Sequence, residues 1–141
     1  MVVYRHGHEG LEVLVLHRAQ HGPEYEGDWT WTPPAGCRLP GEALRRCALR
    51  ELNEETGLHL SLEATPCGTA EWPVFVAKAP PRAQIVLDAE HDRHEWRLPD
   101  DAVRRCSPER VSMALARAMA WLRDREGRNS ASTGSWGSPG S

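Results

Sequence analysis

The chain has 141 residues, 40% of them hydrophobic and 26% charged, with a formal net charge of -3; this describes one ordinary domain with its own core and leaves too little chain for two. A net negative charge gives no basic footprint for duplex nucleic acid, and no apolar run approaches the roughly 20 residues of a membrane span. Cys37, Cys47, Cys67 and Cys106 fit neither a zinc spacing nor a small secreted framework, and no signal peptide precedes them. They read as reduced thiols of a cytoplasmic protein.

Val2-Val3-Tyr4-Arg5 already reads as a strand, so the chain is expected to start inside structure with no leader. A turn over His6–Gly10 leads to a second strand, Leu11–Arg18, apolar on both faces for part of its length and therefore expected near the middle of a sheet. Ala19 to Pro40 is a long irregular stretch rich in Gly, Pro and Trp, and loops of that length in a compact domain are usually functional. A helix is predicted from about Glu42 to Thr56, closed by Gly57. Strands are predicted at Leu58–Leu62, Thr69–Ala77, Gln84–Leu87 and around Glu95–Leu98. Pro99-Asp100-Asp101 starts a short helix. Ser107-Pro108-Glu109 starts the last one, whose Val111, Leu115, Ala118 and Leu122 form one apolar stripe. From Gly127, Ser, Gly, Asn and Pro dominate, so residues 1–126 read as the domain and 127–141 as a disordered or non-native tail. The order of elements is that of an α+β protein or a sandwich.

The helix over 42–56 is physically odd. Leu44, Ala48 and Leu52 give it a buried stripe, and at about 100° per residue Glu51, Glu54 and Glu55 share an arc beside that stripe. Like charges three and four apart repel, and the last turn is where the helix dipole disfavours carboxylates. A solvated acidic face tolerates this arrangement but gains nothing from it. A divalent cation removes both penalties, and hard oxygen ligands suit Mg²⁺ or Mn²⁺. Arg50 is placed to fix one of these carboxylates, and Glu42 to accept from the preceding loop or support the site from behind. On the residues alone both readings stand.

Gly36, five residues, Glu42, seven residues, then Arg50-Glu51-Leu52-Asn53-Glu54-Glu55-Thr56-Gly57-Leu58 resembles the Nudix box at every specified position. The resemblance reaches over most of residues 2–124. It implies an α/β/α sandwich with a mixed sheet, the box being a loop-helix-loop, and a Mg²⁺-dependent (Mn²⁺ can substitute) hydrolase of phosphoanhydride bonds in nucleoside diphosphate derivatives. It also implies that Glu51, Glu54 and Glu55, with the carbonyl of Ala35, hold the metal, while Arg50 and Glu42 support them. The family often has Gly where this chain has Ala35. The general base is expected to be a box glutamate or Glu90.

Trp31-Thr32-Pro33-Pro34-Ala35-Gly36 and Glu90-His91 with Trp96 are similar to segments of the asymmetric diadenosine tetraphosphate hydrolases. In that group Ala35 is a lysine and His94 a tyrosine. The resemblance points to a dinucleoside polyphosphate, with (d)NTP or dihydroneopterin triphosphate pyrophosphohydrolysis as the alternative and non-catalytic nucleotide binding a weaker one. Arg18, Trp31 and His94 are the expected substrate contacts. Against this, Trp96 reads more readily as core, Trp31 reads equally as packing under the loop, Arg18 as an ordinary surface arginine, and His91 as exposed or hydrogen-bonded. The expected partner is a small nucleotide, with no membrane and no duplex nucleic acid, for a monomer or homodimer.

Overall fold

The computed structural model describes residues 1–35 and 38–137, the last nine of these by backbone course alone. Gly36 and Cys37, which open the box, and residues 138–141 lie outside the described residues, as does the side chain of Trp136.

The chain runs β1 (Val2–Gly7), β2 (Gly10–Arg18), β3 (Trp31–Thr32), α1 (Leu44–Thr56), β4 (Glu63–Ala64), β5 (Phe75–Lys78), β6 (His91–Arg97), α2 (Pro99–Arg105) and α3 (Glu109–Gly137). Among the described residues the strands form one sheet, in the order β3-β2-β1-β5-β4, with β6 also paired to β2. β1 and β5 are parallel and the other pairs antiparallel, so the sheet is mixed. β2 is the shared strand: Val13 faces both Tyr4 and Arg97, and Leu16 faces both Thr32 and His94. Both faces of β2 are covered, and Val13–Leu16 are accordingly apolar and buried on both.

The two-residue period of the strands sorts their side chains into two cores. Val2, Tyr4, Val13, Val15 and Val76 pack with Trp31 under α2 and α3, against Ala102, Cys106, Leu115, Ala118, Met119 and Leu122. Val3, Leu14 and Leu16 point the other way and pack with Leu52 of α1, Leu58 and Ala79. Helices on both faces of a mixed sheet make an α/β/α sandwich, with α1 alone on its side.

Five expectations need correction. Leu58–Leu62 is not a strand: Leu58, Leu60 and Leu62 pack beside α1, but their backbone finds no ladder partner before β4. Gln84–Leu87 is likewise unpaired with any strand, Ile85 and Leu87 packing on the same core while the Val86 amide donates to Thr56 O at 2.8 Å. Trp31–Thr32, expected within the loop, is a short strand against Leu16 and His17. Of Thr69–Ala77 only Phe75–Ala77 is strand, within β5; the Thr69 amide instead donates to Trp72 O at 3.1 Å in a turn ahead of it. The backbone helix α3 continues through Gly137, past the Gly127 boundary, since an established helix gains one hydrogen bond for each further residue.

The irregular stretch after β2 is tied down rather than loose. His17 is fully buried, its Nε2 donates to Tyr25 O at 3.1 Å, and its Nδ1 meets Asp92 Oδ1 at 2.6 Å. At the other side of the sheet Gly57 ends α1 with φ +75°, its amide bonding Asn53 O at 2.8 Å. A Cβ at Gly57 would also meet Val86 Cβ at 3.1 Å. Gly57→Ala is therefore expected to cost about 1–2 kcal/mol for the left-handed backbone, read as a lower urea midpoint; an unchanged midpoint would show that the cap is not strained.

Candidate active site

α1 docks through Leu52 and Thr56, both fully buried, and Glu55 lies on the same helix face. The helix cannot bury those two without carrying the carboxylate inside. Glu55 is only 3% exposed. The neighbouring Glu51 is half-buried and Glu54 exposed, so the three acids fan from the interior to solvent.

Arg50 holds the outer part of this fan. Its Nε and Nη2 donate to the two oxygens of Glu42, each at 2.9 Å, while Nη1 reaches Glu51 Oε1 at 2.8 Å and Glu54 Oε2 at 3.2 Å. Glu42 sits just ahead of the helix and also accepts the Leu39 amide at 3.0 Å. Paired in this bidentate way, its carboxyl is pulled down to about 2, chiefly by Arg50. For Glu51, burial outweighs Arg50 and raises the carboxyl above its ordinary value, with Glu54 and Glu90 adding to the rise.

Glu55 has no such cation. Burial first, then the charges of Glu51 and Asp88, push its carboxyl up to about 8, opposed weakly by the N-terminal ammonium and the Ala35 backbone. His91 Nε2 stands 3.6 Å from its Oε1, and Oε2 is buried without a hydrogen-bond partner among the described residues. His91 is itself buried and bonded through Nδ1 to Asp88 Oδ1 at 2.8 Å. Arg18 lies directly across the β2–β6 ladder from His91, half-buried, its side chain making no hydrogen bond or ion pair among the described residues. Glu90 is exposed on the turn before β6, its carbonyl accepting the Ala19 amide at 2.9 Å.

Thus Glu42, Arg50, Glu51, Glu54, Glu55, Glu90, Arg18 and the Ala35 backbone come to one end of the sheet. His94 lies further along the same face, opposite Leu16, with its imidazole shifted down by burial and then by Arg5. Trp96 follows, half-buried in the α1 core beneath the Arg5 guanidinium, 4.2 Å from its ring centroid. Trp31 is the exception among the expected contacts. It belongs to the opposite core and is 2% exposed. His17 meets it edge-on, Arg93 and Arg105 stand over its ring, and Nε1 donates to Glu26 at 2.9 Å. It has no surface to offer a base. Asp88 and the part played by His91 were missed, although an Asp and a His three apart beside the expected base were visible as a pair.

Among the described residues no three His, Cys, Asp or Glu side chains converge as a ready cation cage, because Arg50 engages Glu51 and Glu54. The donor chemistry nonetheless fits a hard divalent cation. It is all carboxylate, and the buried, unpartnered Oε2 of Glu55 is the group a cation would relieve.

Sheet, helix layers and acidic box together define a Nudix-type domain. The NUDIX domain family profile matches residues 1–122, and the chain belongs to that family. It is 29% identical over 125 residues to the asymmetrical bis(5'-nucleosyl)-tetraphosphatase of Rattus norvegicus, covering 79% of this chain and 81% of the other. It is 35% identical over 107 residues, 67% of its length, to an octanoyltransferase of Myxococcus xanthus, but spans only 28% of that longer protein. Among solved structures, a C. elegans Ap4A hydrolase in a binary complex superposes with a TM-score of 0.69 at 25% identity, covering 87% of this chain and 96% of that one. The E. coli dihydroneopterin triphosphate pyrophosphohydrolase shares the fold, with a TM-score of 0.62 at 19% identity over 82% and 90% of the two chains.

The raised Glu55 carboxyl has a measurable consequence in the metal-free protein. A folded value of about 8 against an ordinary 4.5 means that the folded state holds its proton more tightly. The stability this confers is complete below pH 4.5 and is lost as pH rises through about 8. Glu42 has the opposite sign, but its window lies below that range, between about 2 and 4.5. In chelator, the wild-type melting temperature should fall relative to Glu55→Gln between about pH 5 and 8. Parallel curves would contradict a proton held on Glu55.

Proposed function

We propose that this protein is a Mg²⁺-dependent hydrolase of phosphoanhydride bonds, Mn²⁺ substituting, and that its substrate is a dinucleoside polyphosphate such as diadenosine tetraphosphate. The observation that carries the reading is Glu55: a buried carboxylate whose Oε2 has no partner among the described residues, with further acids at Glu51 and Asp88. Such an arrangement is costly unless a cation joins it.

Glu51, Glu54 and Glu55, with the Ala35 carbonyl, would hold the ion. Once bound, Mg²⁺ supplies polarisation of a phosphoryl oxygen and neutralisation of charge developing on it. Arg50, braced by Glu42, fixes the rotamers of Glu51 and Glu54. Arg18, a half-buried guanidinium on the Glu55 side of the sheet, binds phosphate oxygens; guanidinium geometry suits two of them at once. Glu90, exposed and with no side-chain hydrogen bond among the described residues, takes the proton of the attacking water. His94 lies on the face along which a nucleoside would extend, and burial, then Arg5, shift its imidazole toward the neutral form.

The choice of dinucleotide is supported by the Rattus norvegicus relative, matched over most of both chains, and by the Glu90-His91 to Trp96 segment. A reducing cytoplasmic setting is consistent with Cys47, Cys67 and Cys106 standing as free thiols.

Turnover should vanish in chelator and return with millimolar Mg²⁺ or Mn²⁺. Glu54→Gln and Glu55→Gln should each lose at least ~100-fold in rate, the scale of removing an electrostatic stabiliser. Product chromatography from diadenosine tetraphosphate should give ATP plus AMP. Full activity in both variants rejects the site. ADP as the product, or much faster turnover of simple triphosphates, rejects the substrate.

A further inference from the structure

We propose that Asp88 and His91 form a positioning pair that orients the Glu55 carboxylate, leaving Oε2 as the oxygen offered to the cation. The proposal rests on the reading of Glu55 as a cation ligand.

The pair is built into the entry of β6. The backbone amide of His91 donates to Asp88 O at 3.4 Å, and the ring closes the same turn through its side chain, Nδ1 to Oδ1 at 2.8 Å. A carboxylate oxygen only accepts, so Nδ1 carries the proton in that bond, which fixes the ring against the turn. This turns Nε2 toward Glu55, 3.6 Å from Oε1. The His91 and Glu55 side chains are 3% and 4% exposed, so no bulk water competes for the space between them.

The two oxygens of Glu55 are therefore inequivalent. Oε1 is screened by the imidazole, while Oε2 is buried and bonded to nothing among the described residues. Without the ring the carboxylate can rotate, and water can fill the vacated volume and hydrate it. The acids then lose the pre-set orientation that makes a weakly polarising cluster into a cation site. Groups that orient a ligand from behind typically contribute ~10–100-fold in metal affinity. His91 also begins the ladder rung whose other member is Arg18, so the same residue sets the strand entry beside the phosphate contact.

Mn²⁺ binding to the full chain, followed by electron paramagnetic resonance alongside the melting temperature, tests the pair. His91→Ala should weaken Mn²⁺ binding ~10–100-fold. His91→Gln, whose amide reaches toward the Nε2 position, should recover most of that loss. Asp88→Asn, which keeps the side-chain volume, should fall between them, and it carries the test if His91→Ala does not fold. Wild-type Mn²⁺ affinity in folded His91→Ala or in Asp88→Asn overturns the proposal, as does equal loss in the Ala and Gln variants. Glu55→Gln separates the two levels. If it loses Mn²⁺ while the His91 and Asp88 variants keep it, the ligand reading stands and the positioning pair falls. If Glu55→Gln binds Mn²⁺ like wild type, the ligand reading fails and takes the pair with it.

Discussion

Much of the site's character follows from one carboxylate being carried out of water by the helix that bears it. Among the described helices α1 is alone on its side of the sheet, and Leu52 packs it there against Leu14, Leu16 and Val3. Glu55, three residues after Leu52 and one before Thr56, shares their face. Burial at that position is a condition of the helix docking at all. The cost of burying a charge is met by binding a proton or by binding a cation. On the proposed reading, proton and metal compete for one group whose position the packing of the fold has already fixed.

Arg50 gives the rest of the acidic cluster a partner within the box itself. Among the described residues it reaches Glu51 and Glu54 of its own helix and Glu42 of the loop ahead of it. That arrangement holds the Glu42 carboxyl low, whereas at Glu51 burial still outweighs the guanidinium. It also couples the loop to the helix: Glu42 bonds Arg50 on one side and the Leu39 amide on the other. The inner acid is beyond this guanidinium and faces the strand entry instead, where Asp88, His91 and Arg18 stand.

The fold was legible wherever a local pattern was also the global one. The alternation of Val2, Val3, Tyr4 and of Val13 through Leu16 assigns each side chain to the core it occupies, and Gly57 marks the end of α1 to the residue. The box gave the acids, Arg50 and Glu42. What escaped depended on long-range pairing. Leu58–Leu62 and Gln84–Leu87 have the apolar content of strands, but a strand needs a neighbour, and pattern alone does not reveal that none is available. Trp31 looked like loop because its surroundings are Gly and Pro, yet its backbone pairs with His17, and that register turns its indole away from the acids. Asp88 and His91 escaped for the related reason that their partner, Glu55, lies more than thirty residues earlier in the chain.

Register also decides which β6 side chains share the face of the acidic cluster. On β6, His91, His94 and Trp96 face the α1 side, while Arg93 turns to the other and stands over Trp31. The irregularity between His17 and Arg18 leaves Asp92 without a rung partner and frees it to bond the buried His17. That one extra residue ties the long loop to the strand from beneath while the rung above it carries Arg18 and His91. The loop anchor and the acidic site are thus opposite faces of a single irregularity in the ladder. The anchor holds β2 and β6 in the register that brings Arg18 beside His91 and Glu55. A chain running β2 to β6 without it would shift those side chains by one position, and a shift of one position in a strand reverses every face.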